Sequence, residues 1–306
     1  MNLTRFQIQV ATGRFTLPVV ILICLLVWSF TIQSWSDLAS LAIMAIIGYL
    51  MIEANTAFTL IRTRSTFPVC IYWLVATSLL FLHPFEWTHF IPFIFILALC
   101  QLFYSYESTQ PSIPIYHVFF CISLGSMIFP PMLYFIPLIW GSMPSFRSLS
   151  SKSFLASLLG IITPYWFWFG YAFYFDKLSL FWVPLQKILH FDPIDYTQLI
   201  VSECLSWGFI TLLLFVSSMH YWQIAYMDKT RTRIYHSFVI AAGIWATLGS
   251  ILQPSYLHEW MPIQLICASF LSGHLFTLTR NRFSAIFFIV TMILFILLVL
   301  FNLWMQ

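Results

Sequence analysis

Hydrophobic blocks close to the length of a bilayer crossing follow one another along almost the whole chain, and no water-soluble fold accommodates that pattern. Of 306 residues, 61% are hydrophobic and 8% are charged; a soluble domain carries about three times that charged share. A helix needs about twenty apolar residues to cross roughly 30 Å of hydrocarbon. The blocks predict helices over 15–33, 38–60, 67–82, 90–106, 115–128, 131–144, 153–175, 204–226, 234–252, 260–279 and 283–304. The expected fold is all-α: a polytopic helical membrane protein of about eleven spans forming a single transmembrane domain over 1–306. The fifth and sixth blocks are short and are split by Phe129-Pro130-Pro131-Met132. Proline lacks the amide donor and clashes with the preceding turn, so these two form either two spans or a re-entrant hairpin.

Basic residues are retained on the cytoplasmic side of a span. With the N-terminus inside, the cytoplasmic segments carry Arg5, Arg14, Arg62, Arg64, Arg147, Lys152, Lys229, Arg231, Arg233, Arg280 and Arg282, and the outer ones only Lys177 and Lys187. All 13 basic residues are thereby assigned. The C-terminus then lies outside, with Trp304 at the outer interface, and the first span has no small-residue cleavage site that would mark a signal peptide. The six cysteines fall in or beside apolar blocks without metal-ligand spacing and read as small buried hydrophobes. Orientation accounts for the net charge of +3, and nothing supports nucleic-acid binding.

This topology gathers polar residues on the outer side: Asp37, His83, Glu86, His89, Asp176, His190, Asp192, Asp195, Glu203, His258 and Glu259. Two readings stand. Short polar tips need residues that water solvates, or carboxylates there serve an outer-facing site as general acid or base. In Leu82-His83-Pro84-Phe85-Glu86-Trp87-Thr88-His89, the spacing of three and three puts the histidines about 120° apart on a helix. That matches neither familiar helical zinc pattern, so neither a metal site nor a cofactor is expected. Glu86 is expected to matter more than either histidine. Over 176–203, Leu178, Phe181, Leu185 and Ile188 recur at helical spacing, which predicts an outer interfacial segment with an amphipathic helix.

Glu53 precedes Arg62 by nine residues, about 14 Å along a helix, and is expected near the middle of the hydrocarbon. A carboxylate there marks a function, a partner or a wet cavity. Tyr49, Glu53, Thr56 and Thr63 predict a polar stripe turned toward the bundle, with Asn55 beside it and His220 or His274 as candidate partners. The doublets Arg62-Thr63-Arg64, Arg231-Thr232-Arg233 and Arg280-Asn281-Arg282 suit either orientation or the holding of anionic lipid headgroups. Ala156 to Gly160 and Ser269 to Gly273 have the small-xxx-small spacing that permits close helix approach.

The runs Glu53-Ala54-Asn55-Thr56-Ala57-Phe58-Thr59-Leu60-Ile61-Arg62-Thr63-Arg64-Ser65 and Arg147 to Trp166, with its Leu-Leu-Gly and Pro-Tyr, resemble an uncharacterised family of multi-pass bacterial inner-membrane proteins. That arrangement is similar to the GT-C class of glycosyltransferases, which take polyprenyl-phosphate-linked sugars at the outer face. The resemblance implies an acidic base near the first outer loop, where Asp37 stands. The leading expectation is an inner-membrane protein of cell-envelope biogenesis with an outer-facing cavity for a lipid-linked substrate. If it transfers a sugar, Asp37 acts as base, Glu86 or His83 assists, and His258 or Glu259 closes the site. The alternatives are a non-catalytic subunit bound to membrane-protein partners, then a transporter resting on Glu53.

Overall fold

The computed structural model describes residues 3–32, 34–63, 65–179, 181–182, 186, 194–197, 199–279 and 281–305, in which helices but no strands occur. Twelve helices are described: α1 (Leu3–Ala11), α2 (Thr16–Thr31), α3 (Asp37–Phe58), α4 (Phe67–Ser78), α5 (Phe90–Tyr104), α6 (Ser112–Ser126), α7 (Phe135–Ser142), α8 (Ser151–Tyr174), α9 (Val201–Ile224), α10 (Thr230–Leu252), α11 (Leu257–Leu278) and α12 (Arg282–Trp304). Among the described residues, seven segments are long and apolar enough to cross a membrane: α3, α5 with its preceding turn, α8, α9, α10, α11 and α12. The α1–α2 pair, bent by 79°, makes up to eight. Helix length therefore supports a polytopic all-α membrane protein but does not reach eleven spans. α4 and α6 are apolar but shorter, and α7 has 8 residues after a 3-10 turn at Pro130–Tyr134. The amphipathic segment expected over 176–203, including Leu185 and Ile188, lies largely outside the described residues.

The chain divides into two compact units, one of residues 1–89 and 196–306, the other of 90–195. In the first, α4 and α11 form the core. Every residue of α4 is buried, as is α11 from Trp260 through Thr277, the pattern of helices that are hydrophobic all round. α4 packs on α2, α3, α11 and α12, while α11 also meets α1, α9 and α10. Lipid provides little hydrophobic drive between helices, so small residues and polar ties hold them. A Cβ on Gly273 would lie 2.4 Å from Pro68 Cγ, so α4 and α11 approach at that step. Gln264 of α11 donates to Thr211 of α9 and to Thr247 of α10, each at 2.9 Å.

The turns of this unit sort into two ends. At one, Gln7 of α1 donates to the Phe276 carbonyl at 2.7 Å and to Ser284 at 2.9 Å, and Ser65 donates to the Ala11 carbonyl. Arg5, Arg14, Arg62, Lys229, Arg231, Arg233 and Arg282 belong to the segments of this basic end. At the other, Ser40 donates to the His83 carbonyl at 2.6 Å, Asn302 to the Ser78 carbonyl at 2.7 Å, and His258 meets Glu203 at 2.7 Å. The 34–36, 79–89 and 253–256 turns belong to this acidic end.

In the second unit α6 packs against α5 and α8. A Cβ on Gly160 would lie 2.6 Å from the Tyr116 carbonyl. Both glycines of the small-xxx-small spacings thus sit at close helix approaches. Gly160→Val and Gly273→Val should each lower stability in detergent by about 1–3 kcal/mol through overpacking. Gly170→Ala, with nothing within 4 Å of its Cβ, should leave the melting temperature unchanged.

Candidate functional site

The two histidines of the 82–89 stretch are buried and the glutamate between them is exposed. His83 Nε2 lies 3.1 Å from the Thr77 carbonyl oxygen, so that nitrogen carries the proton and Nδ1 accepts the Thr31 hydroxyl at 2.5 Å. Its ring stacks on Trp28 at 4.0 Å. His89 donates from Nε2 to the Leu82 carbonyl at 2.8 Å, and its Nδ1 meets the Glu86 backbone. Both rings are ties that close the turn after α4, while Glu86 accepts only from Thr88 at 3.2 Å among the described contacts. Asp37 is buried in the first turn of α3, where its carboxylate accepts the Ser34 N–H at 3.0 Å and the Ser34 hydroxyl at 3.2 Å, an acid placed at the positive end of the helix dipole. His258 stacks on Phe81 at 4.3 Å and pairs with Glu203, and Glu259 follows it in the first turn of α11. Glu203, in turn, borders a cavity of about 280 Å³ with Phe81 and Asn302. Within the first unit, Asp37, His83, Glu86, His89, Glu203, His258 and Glu259 thus share one end without converging on one point, while His190 and Asp192 lie outside the described residues. Among the described residues, no group of three histidine, cysteine, aspartate or glutamate side chains is placed to hold a metal.

Glu53 departs from expectation in depth and direction. α3 ends at Phe58, where Thr59 takes a left-handed conformation with φ 50°, and the chain then turns instead of continuing to Arg62. Glu53 is therefore about 7.5 Å from the helix end by the 1.5 Å rise, about half the expected distance. Tyr49, Glu53 and Thr56 face outward, away from the core of their unit. The polar residue turned inward is Asn55, which donates to the Ser65 carbonyl at 3.0 Å and accepts the Ile61 N–H at 3.1 Å, shaping that turn. His220 and His274 pair elsewhere. Not all cysteines are buried either: Cys204 is exposed.

The basic end holds a site that sequence reasoning missed. Asp228, in the α9–α10 link, has a side chain only 1% exposed. Its Oδ2 accepts from His274 Nε2 at 2.9 Å, and its Oδ1 lies 3.1 Å from Arg62 Nε. His236 stacks on Tyr221 at 4.6 Å and meets His274 edge-on at 5.0 Å. His236 donates from Nδ1 to the Thr232 carbonyl at 3.1 Å, leaving Nε2 buried without a hydrogen-bond partner. Burial pushes the Asp228 carboxyl toward protonation, but the hydrogen bond and charge of His274, with Arg62 and His236, hold it below the usual carboxylate range.

Arg62 links this cluster to a cavity of about 880 Å³. The cavity lies between the α1–α2 elbow and the α3–α4 turn, lined by Arg14, Arg62, Asn55 and the hydroxyls of Thr12, Thr56, Thr59, Thr63, Ser65 and Thr66. The Thr12, Thr56, Thr59 and Ser65 hydroxyls donate to backbone carbonyls, so the charged groups left to meet an anion are the two guanidinium groups, and arginine binds phosphate or carboxylate with paired charge-assisted bonds. Arg64 lies outside the described residues. Arg231 donates to the Tyr235 hydroxyl at 2.7 Å and Arg233 to Thr230 at 3.2 Å, both exposed on the first turn of α10. No family model, curated protein or solved structure matches this chain.

Burial lowers the pKa of His83 from 6.5 to about 4. The unfolded chain takes that proton first, so stability should fall as pH drops from about 6.5 toward 4. His83→Gln should flatten this part of the profile of melting temperature against pH. Glu86→Gln should shift stability by no more than about 0.5 kcal/mol.

Proposed function

We propose that this protein binds the anionic, phosphate-bearing headgroup of a lipid or lipid-linked substrate in the cavity at its basic end. The observation that carries the reading is the lining: Arg14 and Arg62 share one cavity where the helices α2, α3 and α4 begin or end. A basic groove at the end of a helical bundle meets the layer where anionic headgroups concentrate. Arg14 is exposed and Arg62 half-exposed, so both can reach a ligand entering from the membrane surface.

The reading extends to a bacterial inner-membrane protein of envelope biogenesis with eleven passes and a cytoplasmic N-terminus. Its support is the sorting of turns in the first unit, where α2, α3 and α4, and then α9 to α12, run alternately between the basic and acidic ends. By the same criterion α4, with the 3-10 turn at Leu80–Leu82, counts as a pass despite its 12 helical residues. In the second unit, Glu107 N–H donates to the Phe146 carbonyl at 3.3 Å and Arg147 pairs with Glu107, while a Cβ on Gly125 would meet Met132. α6 and α7 therefore run in opposite directions between those two sets of contacts, as a two-pass reading requires. The gathering of basic residues at one end favours that end as cytoplasmic.

A GT-C-like transfer of a polyprenyl-phosphate-linked sugar at the acidic end rests on the resemblance and on the presence of Glu86, Glu203, His258 and Glu259 at that end. Asp37 and His83 serve it least, because each already holds neighbouring backbone or hydroxyl groups.

Two measurements test these proposals. In a cysteine-free background, Trp87→Cys should react with an impermeant thiol reagent applied outside and Tyr226→Cys should not; the reverse labelling overturns the orientation. In detergent, short-chain phosphatidylglycerol should bind more tightly than short-chain phosphatidylcholine. Arg14→Gln with Arg62→Gln should weaken it about tenfold or more, the scale of losing charge-assisted hydrogen bonds. Equal binding of the two lipids overturns the headgroup reading, and equal binding of inorganic phosphate alone reduces it to an ion site.

A further inference from the structure

Arg62 belongs to two sites at once. Its side chain is 49% exposed and lines the headgroup cavity, while its Nε lies 3.1 Å from Oδ1 of the buried Asp228. That contact is ionic without being well directed, since Oδ1 accepts no aligned hydrogen bond. Oδ2, by contrast, accepts from His274 at 2.9 Å. Asp228 thus holds a firm bond to a buried imidazole and a looser one to a guanidinium that an anion in the cavity would also attract.

Behind Asp228 lies unused proton-accepting capacity. His236 Nε2 is buried and without a hydrogen-bond partner, and its ring contacts both Tyr221 and His274. The ionisable and charged groups facing His274 are Asp228 from the α9–α10 link, Tyr221 and His220 from α9, and His236 from α10, with Arg62 and Arg233 further out. From α4 the neighbour of this step is Pro68, against Gly273. A buried carboxylate deprived of its cation is costly, by several kcal/mol in the general case. One proton on an adjacent imidazole restores neutrality at the smallest displacement of atoms.

We propose that Asp228, His274 and His236 form a proton-binding site that fills when an anion in the neighbouring cavity draws Arg62 away from Asp228, so that headgroup binding takes up a proton. The inference rests on the headgroup reading of that cavity. In the free state Arg62⁺ faces Asp228⁻, which also accepts from His274. In the bound state Arg62⁺ faces the anion, and the His274–His236 pair beside Asp228⁻ carries one proton more than in the free state. The proton comes from solvent, an N–H bond forms, and no other bond is made or broken. By linkage, a proton taken up on binding makes the anion bind more tightly at lower pH, by about tenfold per pH unit at full one-proton coupling.

The test is calorimetry of the full-length protein in detergent with short-chain phosphatidylglycerol, a diester whose own charge is constant near neutral pH, in Tris and in HEPES at the same pH. Proton uptake makes the binding enthalpy differ between the two buffers. The expected result is a buffer-dependent enthalpy for the natural protein and loss of that dependence, with binding retained, in His274→Gln, whose amide still donates to Asp228. Binding with equal enthalpy in both buffers overturns the coupling and leaves the headgroup site standing. Absence of binding overturns the headgroup site and the coupling with it. If His274→Gln does not fold, imidazole carbon chemical shifts of the natural protein at constant pH decide the matter. A new imidazolium signal on adding lipid is expected, and unchanged histidine signals overturn the proposal.

Discussion

The approach of Gly273 to Pro68 organises the first unit. α4 is wholly buried and α11 is buried from Trp260 through Thr277, and a side chain at Gly273 would occupy the space of the proline ring. His274 follows Gly273 directly, and Arg62 stands six residues before Pro68 in the turn that leads into α4. The packing step that lets the two core helices touch therefore also brings the guanidinium and the imidazole to the same carboxylate. The site depends on a contact between apolar surfaces, made where one of them has no side chain.

Asp228 shows how a charge survives in such surroundings. It belongs to a link between helices, not to a helix, so its backbone is free to turn the carboxylate inward between α9, α10 and α11. There it exchanges water for His274 and Arg62. A buried ion pair is a weak source of stability, because desolvation offsets most of the attraction. What it supplies is a defined arrangement of charge beside an open cavity, and the proposed anion binding and proton uptake use that arrangement.

The acidic end works differently. His83 spends its ring nitrogens on Thr31 and on the Thr77 carbonyl at the end of α4, and His89 donates to the Leu82 carbonyl in the 3-10 turn beyond it. A helix of 12 residues reaches the far end of the unit only through a 3-10 turn and a folded loop, whose polar groups need partners inside the protein. Two histidines within seven residues answer that need.

The apolar blocks by themselves determined an all-α membrane protein, the approximate helix positions and the segregation of basic turns, because these follow from the length of a hydrocarbon crossing and the cost of carrying charge through it. The spacing of small residues likewise marked Gly160 and Gly273 as approach points. Neither the place nor the direction of Glu53 was legible: whether a helix continues to Arg62 or ends at Phe58 depends on Asn55 bonding to the Ser65 carbonyl and the Ile61 N–H across the turn. The nine-residue α1 is too short to register as a hydrophobic block. Asp228 was hidden for another reason, since an acid beside Lys229, Arg231 and Arg233 reads as one more solvated loop residue. Its partners His274, His236 and Arg62 come from three separate parts of the chain. Only the packing of α9, α10 and α11 with the α3–α4 turn decides that they share one buried carboxylate, because no local pattern records which side chains a tertiary contact will deprive of water.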